Sequence, residues 1–369
     1  MKRQGGFTIL EVLIGAFIGI IGMFMILRTQ EDFDRNKRAL SSGGEAQVSG
    51  TVAAFQLERD IRNGGMGITG EPIAGTTYFG CSVAASDNGT AFTFPLAPVR
   101  IIDGAGGAPD QIHVLYGSSQ APSSTYIVQS SGADSTLLDS RGGVEVGDLA
   151  VLASASGCRL LHISAVTAAP TPVGTGTAAP QIDHMTGSGL RYAGSTAISL
   201  TFPASNAVLH NLGKAPTGTD WQFSPRLNAW AIDGNRLVRA NLLNDHASPP
   251  AWGDVVDNVV DLQAEYGLDT DGDTAADTWT ATTPANAAAW EQLRLIRFAI
   301  LIRGQERANA PVTTTAPVWA GGAFTMRNVD GTADSGAGGA AINNWRHYKY
   351  QVQEVMVPLR NMIWRNVAA

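Results

Sequence analysis

Charged residues are scarce in this chain of 369 residues. Asp, Glu, Lys and Arg make up 15% of it, with 32 acidic against 25 basic residues and a formal net charge of −7. This balance gives no general attraction to phosphate backbones, so composition does not indicate nucleic-acid binding. The hydrophobic content of 44% is too high for a disordered chain and predicts a folded protein with a large core.

Cysteines are also few. Cys81 and Cys158 are the two in the sequence, and they lack the paired spacing of a zinc or redox motif. A disulfide between them is expected in an oxidising compartment, where it would add roughly 2–4 kcal/mol of stability if unstrained. Two separately buried thiols are the alternative.

Recognised catalytic motifs are missing as well. The sequence has no G-x-S-x-G elbow, no H-E-x-x-H and no complete phosphate loop around Gly213-Lys214. Its six histidines are scattered along the chain. An anchored enzyme would need clustered, perturbed titratable groups, and the sequence offers no such candidate. We therefore predict a protein that is not an enzyme.

The longest apolar run lies near the N-terminus. A basic leader, residues 1–6, precedes residues 7–27, in which Glu11 is the one ionisable residue. At about 1.5 Å per residue this segment would form a helix roughly 32 Å long, enough to cross a bilayer. No small-x-small cleavage site follows it, so we expect a membrane anchor rather than a secretory signal peptide. The basic leader then places the rest of the chain outside the cytoplasm.

Glu11 is the unusual residue of this span. A carboxylate within a membrane costs on the order of 2.5–3.5 kcal/mol and usually has a partner, although a charge near the helix end can be tolerated. Gly15 and Gly19 have the small-x-x-x-small spacing that permits close helix approach, but glycine is also common in transmembrane helices generally.

The helical pattern continues past the membrane segment to about residue 62. Asn63-Gly64-Gly65 supplies an end signal, and glycines within residues 41–50 predict a bend or a melted stretch there. Apolar residues at helical spacing predict a face that packs against a sheet. The residues of this predicted face are Val48, Val52, Ala54, Phe55, Leu57 and Ile61.

Beyond residue 64 the hydrophobic period becomes that of strands. Runs such as residues 255–266 and Leu293–Arg303 predict a mostly β head without a linker or an internal repeat. Segments rich in Gly, Ala, Ser, Thr and Pro, at residues 117–143, 167–189 and 304–344, are expected to be loops. Loops of this length are usually functional or disordered.

Carboxylates recur at alternate positions between two predicted strands. The candidate calcium ligands are the side chains of Asp269, Asp271, Asp273 and Asp277 and the carbonyl of Ala275. Oxygen ligands at this spacing suit a hard cation. Thr274 and Thr280 stand where an EF-hand has Gly and Glu, which excludes an EF-hand proper. A hairpin calcium loop completed by Asp261, Glu265 or water is expected, and a solvated turn without an ion is the alternative.

The N-terminal features together resemble the type IV prepilin family. They are the basic leader, the Gly5-Gly6 pair before Phe7, a glutamate at the fifth position counted from Phe7, and the apolar length. The resemblance implies that a prepilin peptidase cuts after Gly6 and methylates the new N-terminus at Phe7. It also implies that Glu11 meets the N-terminal amine of a neighbouring subunit, a pairing that makes both charges tolerable in lipid.

Three further patches resemble the PilW-like minor pilins. They are residues 55–65 (FQLERDIRNGG), 259–267 (VVDLQAEYG) and 353–361 (QEVMVPLRN). The resemblance implies an α+β, type IV pilin-like fold in which a long transmembrane and amphipathic helix packs on a mostly antiparallel β head. Its expected parts are the leader 1–6, the span 7–27, the amphipathic continuation 28–63 and the extracytoplasmic head 64–369.

The implied function is that of a minor pilin in a tip or priming complex for type IV pilus assembly, with an indirect role in twitching motility. Expected partners are other minor pilins, the major pilin, the prepilin peptidase and the inner-membrane assembly platform. The protein would cross the inner membrane once, with a periplasmic head, and later reach the pilus tip. A minor pseudopilin J-like component of type II secretion, whose heads are usually smaller, and a tip adhesin acting through residues 304–344 are the alternatives.

Overall fold

The structure is a computed structural model. It describes residues 8–68, 77–119, 125–140, 142–168, 180–184, 191–192, 206–216, 224–247, 249–332 and 344–363, with the side chains of residues 32, 34–36 and 38–42 excepted. Within these residues a single long helix precedes a head made mainly of antiparallel strands, which confirms the predicted α+β class.

The long helix α1 spans Ile9–Asn63 without interruption, about 80 Å at 1.5 Å per residue. The expected melted stretch is therefore wrong, because residues 41–50 are helical throughout. The predicted end signal is confirmed, since Gly64 follows the last helical residue. A Cβ at Gly64 would lie 2.9 Å from the Ile61 carbonyl oxygen and 3.0 Å from that of Pro98, so only glycine fits there.

The described part of the head contains twenty strands and three short helical segments. The strands are β1 Ser82–Asp87, β2 Thr90–Pro95, β3 Val99–Ile102, β4 Gln111–Tyr116, β5 Thr125–Ser131, β6 Ser135–Leu138, β7 Asp148–Ser154, β8 Gly157–His162, β9 Ala165–Ala168, β10 Pro180–Asp183, β11 Val208–Lys214, β12 Arg226–Asp233, β13 Arg236–Asn241, β14 Gly253–Asp257, β15 Val259–Leu268, β16 Thr278–Thr280, β17 Leu293–Arg303, β18 Val318–Trp319, β19 Gly322–Ala323 and β20 Tyr350–Pro358. The helical segments are α2 Ala287–Glu291, a 3-10 turn Trp345–His347 and α3 Arg360–Ile363.

Four sheets organise these strands. Nine strands form the order β2-β1-β8-β7-β11-β5-β6-β10-β9, five form β14-β13-β12-β4-β3, and four form β16-β15-β17-β20. The fourth sheet is the hairpin β18-β19. Among the described strands, β1 and β8 pair in parallel and the other pairs are antiparallel.

Several sequence predictions of loops and strands need correction. The predicted loop 117–143 contains β5 and β6, and the predicted loops 167–189 and 304–344 contain β10 and the β18-β19 hairpin. The predicted strand 255–266 is two strands, because Asn258 adopts a positive φ of 63° that ends β14 and starts β15. Isolated Asn residues tolerate this backbone region better than most side chains.

Small residues bring α1 close to the four-stranded sheet. A Cβ added at Gly50 would lie only 2.8 Å from Cδ1 of Ile302 on β17. Ala46 and Ala53 are buried on the same side of the helix. Gly50 thus lowers the intrinsic stability of the helix but permits the close packing of α1 on β17 and β20.

The predicted sheet-packing face of α1 is wrong for half of its residues. Ala54, Leu57 and Ile61 are buried as predicted. Val48 and Phe55, in contrast, are 65% and 61% exposed, and Val52 is exposed as well. The exposed residues and the buried residues of α1 each recur at helical spacing. The buried stripe includes the small residues Ala46, Gly50 and Ala53, which allow α1 to approach the sheet more closely.

The predicted disulfide is present between Cys81 and Cys158, whose Cα atoms are 6.2 Å apart. Cys158 lies on β8 and pairs in register with Val83 of β1. Both cysteine side chains pack with the main hydrophobic core, which also takes in the buried face of α1. The bridge therefore reinforces the one parallel pairing described in the head.

Candidate assembly surface and the Asp loop

The predicted leader cleavage site lies outside the described residues, which begin at Thr8. Nothing in the structure therefore bears on Gly6 or Phe7. Glu11 lies in the first turn of α1, where its backbone N–H donates to Thr8 Oγ1 at 3.4 Å. Its carboxylate in turn accepts from the Thr8 backbone N–H at 3.3 Å, which completes a capping box.

The first part of α1 is apolar and uncovered. Ile9–Glu31 has a mean hydropathy of 2.5 and is not buried by the rest of the protein, and its length suffices to cross a membrane. Gly15 and Gly19 have open space around their Cα atoms. This span is compatible with the predicted membrane anchor, and its small residues remain accessible to another helix.

The exposed apolar surface of α1 extends beyond this span. Val48, Val52 and Phe55 are spaced as i, i+4 and i+7, so they form one exposed stripe on the helix. We call these three residues the outer stripe. They lie on the part of α1 whose opposite side packs against β17 and β20. Exposed apolar surface of this kind is typical of an interaction site.

A buried carboxylate attaches the end of α1 to the head. Asp60 accepts hydrogen bonds from Tyr116 Oη, Asn228 Nδ2 and Trp230 Nε1, at 2.8, 2.7 and 2.7 Å. These donors belong to β4 and β12 of the five-stranded sheet. Sequence reasoning missed this role, although a lone Asp on an otherwise apolar helix face was the available signal.

Two of the sequence patches meet at the same place. Asn361 Nδ2, in the patch 353–361, donates to the Gly64 carbonyl at 3.0 Å. Gly64 belongs to the patch 55–65 that ends α1. Asn361, near residue 363 at the end of the described chain, thus contacts Gly64 directly after α1. This contact helps to fix the position of the C-terminal end of α1 on the head.

The Asp loop, residues 269–277, connects β15 to β16. Oxygens of Asp269, Asp271 and Asp273 lie within 4.8 Å of one another, a spacing that could hold a cation. The Asp269 side chain is buried, and its Oδ2 accepts from Arg294 Nη2 at 2.7 Å and from Arg294 Nε at 3.0 Å. Arg294 therefore places a positive charge of the protein itself beside the carboxylates of the loop.

Hydrogen bonds within the loop occupy further oxygens. Asp269 Oδ1 accepts from the Gly272 amide at 2.7 Å, and Ala275 donates its own amide to Asp273 Oδ1 at 2.8 Å. Asp277 accepts from the backbone and the hydroxyl of Thr270, at 2.9 and 2.7 Å. Asp269 and Asp277 are thereby engaged, while Asp271 and Asp273 each accept one hydrogen bond through Oδ1 and keep their other oxygen for an ion, so the fit to calcium is partial.

The hydrogen bonds also set the pKa values of these carboxyls. Burial acts to raise the pKa of Asp269, but the Gly272 amide and Arg294 outweigh it and leave the pKa below its ordinary value. Hydrogen bonds from Thr270 and Thr278 lower the pKa of Asp277 to about 2. Both groups are ionised at neutral pH whether or not a metal binds.

The side chains expected to complete a calcium site are engaged elsewhere. Glu265 pairs with Arg297 across β15 and β17, with Arg297 Nε 2.6 Å from Glu265 Oε2. Asp261 Oδ1 accepts from Gln263 Nε2 at 2.9 Å. The sequence carried no signal for the two arginine pairings, because both join residues that are distant along the chain.

Comparison with known families bears on the head. The family model described as Type IV Pilus-assembly protein W matches residues 232–361. The chain is PilW-like over this segment. The match covers β13 to β20, and therefore both the sheet that packs against α1 and the Asp loop. It includes two of the three PilW-like patches, and it supports a role of the chain in type IV pilus assembly.

The comparisons with curated proteins and with solved structures gave no match. The family match is therefore confined to residues 232–361, which include β17 and β20, two strands that pack on α1.

Proposed function

We propose that this protein is a minor pilin that joins a tip or priming complex and promotes type IV pilus assembly without catalysing a reaction. Its partners would be other minor pilins and the major pilin, after processing by the prepilin peptidase and contact with the inner-membrane assembly platform. The head would be periplasmic until assembly moves the protein to the pilus tip. A type IV pilin-like fold is part of this proposal.

The observation that carries the proposal is the outer stripe of Val48, Val52 and Phe55. A membrane anchor alone would account for the apolar surface of Ile9–Glu31 but not for exposed apolar residues several turns further along α1. Burial of these residues needs a partner outside the membrane. A neighbouring subunit with a helix like α1 would be long and apolar enough to cover the span and the outer stripe together.

Rigid attachment of α1 supports the same role. The four-stranded sheet β16-β15-β17-β20 packs on α1 at Gly50. Asp60 accepts hydrogen bonds from three donors of the five-stranded sheet. A helix held in this way presents its outer stripe in one fixed direction. Such preorganisation lowers the entropic cost of association.

The test is a charge placed in the outer stripe. Val48→Glu should abolish or strongly reduce surface piliation and the co-purification of other minor pilins, because a carboxylate would be buried unpaired in the contact. Val318→Glu is the matched control, since Val318 is 67% exposed on the β18-β19 hairpin and Val48 is 65% exposed. Both variants should accumulate like the unmodified protein. Normal piliation with Val48→Glu would overturn the proposal.

A further inference from the structure

A cavity of about 430 Å³ lies between β2 and a face of the five-stranded sheet. Its lining includes three residues that occupy one row across neighbouring strands. Arg100 of β3 pairs with His113 of β4, and His113 pairs with Ala229 of β12. Because Ala229 has a small side chain, the row leaves space above the sheet. The volume is that of a small-ligand site.

Aromatic side chains line the other sides of the cavity. Phe92 and Phe94 come from β2, and Trp252 comes from the segment before β14. The rings of Phe92 and His246 are stacked, with centroids 4.5 Å apart and planes at 9°. These rings offer apolar surface to the face of a flat or ring-shaped ligand.

Between β13 and β14, a carboxylate joins two described parts of the chain that flank residue 248. Asp245 accepts hydrogen bonds from the amides of Ala247 and Ala251, at 3.2 and 2.5 Å. His246 and Ala247 of this segment line the cavity. The cavity wall is therefore formed before a ligand arrives, which favours binding.

Arg100 is the one permanently charged side chain among the lining residues, which include no carboxylate. It forms no ion pair within the described part of the chain, and it also borders an adjoining cavity of about 320 Å³. Burial, aided by the charge of Arg100, lowers the pKa of His113 to about 4. His113 is consequently neutral near pH 7 and both donates and accepts hydrogen bonds.

Uncharged polar groups outnumber the single cation in the lining. Thr93, Gln111 and His113 offer donors and acceptors beside Arg100. The Nδ1 atom of His246 is buried and lacks a hydrogen-bond partner among the described residues. A ligand suited to this set carries one negative charge, several hydroxyls and an apolar ring face.

We infer that this cavity binds an acidic sugar unit, a uronic acid, with its carboxylate on Arg100, its hydroxyls on Gln111 and His113, and its ring against the aromatic wall. A guanidinium binds a carboxylate through two parallel hydrogen bonds, which selects this anion over a neutral sugar. The inference goes beyond pilus assembly and does not depend on it, because the lining residues all belong to the head and none belongs to α1.

The test uses the full chain in detergent micelles with D-glucuronic acid as the probe and D-glucose as its neutral counterpart. Saturation-transfer NMR should show binding of glucuronic acid and at least tenfold weaker binding of glucose. Arg100→Gln should weaken glucuronic acid binding at least tenfold, because hydrogen bonds between charged groups are lost. Arg236→Gln is the matched control, since Arg236 pairs with Asp254 at the surface and does not line the cavity.

A second variant tests the location without altering charge. Ala247 is exposed and lines the cavity, so Ala247→Trp should fill the space and block binding while the fold is kept. Absence of saturation transfer at millimolar glucuronic acid would overturn the inference. Equal binding of glucose, or unchanged binding by Arg100→Gln and Ala247→Trp, would overturn it as well.

Discussion

The indole of Trp230 donates a hydrogen bond of 2.7 Å to Asp60, and this contact joins α1 to β12. Asn228 donates to the same carboxylate oxygen at 2.7 Å, and Tyr116 donates to the other at 2.8 Å. Asp60 is only 4% exposed. A carboxylate so buried is tolerated because strong donors surround it. The end of α1 and the head are thereby joined by a buried polar cluster, in addition to the hydrogen bonds that Gln351 and Asn361 donate to the carbonyls of Gly43 and Gly64.

Removal of this carboxylate should be costly. Asp60→Ala leaves three buried donors without their acceptor, so we expect a loss of about 3–5 kcal/mol in the free energy of unfolding. Trp230→Phe removes one donor and should cost less. Glu58→Ala is the control, because the pair of Glu58 with Arg62 lies at the surface and contributes less than about 1 kcal/mol. Denaturant unfolding of the full chain in detergent measures all three, and a small effect of Asp60→Ala would contradict the expectation.

The disulfide should also carry a measurable share of the stability. Cys81 and Cys158 are separated by 77 residues, and closing a loop of this length stabilises a protein by up to about 4 kcal/mol. The double variant Cys81→Ser, Cys158→Ser should therefore unfold at a lower temperature. A reducing agent should lower the melting temperature of the unmodified protein and leave that of the variant unchanged. Equal shifts in both proteins would show that the bridge is not the cause.

Glu11 has two separable roles to test. Its carboxylate completes the capping box with Thr8, and the prepilin resemblance adds a charge pair with the amine of a neighbouring subunit. Glu11→Gln keeps a side chain that can cap but removes the charge, whereas Glu11→Ala removes both. If the charge pair governs assembly, both variants should reduce piliation to the same extent. Normal piliation with Glu11→Gln and reduced piliation with Glu11→Ala would show that Glu11 acts through the capping box and not through its charge.

Local patterns predicted the features that depend on nearby residues. The extent of α1, its end at Gly64 and the strand β17 follow from periodicity and from turn chemistry over a few positions. The hairpin of β5 and β6 was not predicted, because its Ser- and Thr-rich strands resemble a loop in composition. Hydrophobic spacing on α1 also fits two stripes, and only contact with Ile302 decides which one is covered.

Apart from the disulfide between Cys81 and Cys158, the polar contacts between residues distant along the chain were not predicted. The partners of Asp60 lie up to 170 residues away along the chain. The positive charge beside Asp269 comes from Arg294 on another strand, and no spacing rule connects the two. The candidate calcium loop was therefore recognised from its carboxylates, while the residue that neutralises it was not.

Calcium binding at the Asp loop remains a prediction, and the contacts of the loop limit its strength. Asp271 and Asp273 would supply most of the free oxygens, so we expect affinity no tighter than about 0.1–1 mM, as in weak extracellular sites. Isothermal titration should show this binding lost in Asp271→Asn, Asp273→Asn. Asp233→Asn, an exposed change elsewhere, is the control and should leave it intact. No heat of binding at millimolar calcium would instead support a solvated turn.

Two buried carboxyls should give the head a pH-dependent stability. Burial is the main cause that raises the pKa of Asp110 and of Asp261 to about 6 from 3.8. Asp110 accepts from the amides of Gly104 and Ala264, and Asp261 accepts from Gln263 Nε2, with Arg327 nearby. The folded state thus holds its protons more tightly than the unfolded state does. Stability from this source is complete below about pH 4 and is lost as the pH rises through 6.

Asp261→Asn removes one of the two titrations and keeps an acceptor for Gln263. Relative to the unmodified protein, the variant should gain on the order of 2–3 kcal/mol in unfolding free energy between pH 4 and pH 7, because each pKa unit corresponds to about 1.4 kcal/mol. Denaturant unfolding at the two pH values measures this difference. Asp233→Asn, at an exposed position, should show no such gain. A gain of the opposite sign would mean that Asp261 is stabilised in its ionised form, with the charge of Arg327 outweighing burial.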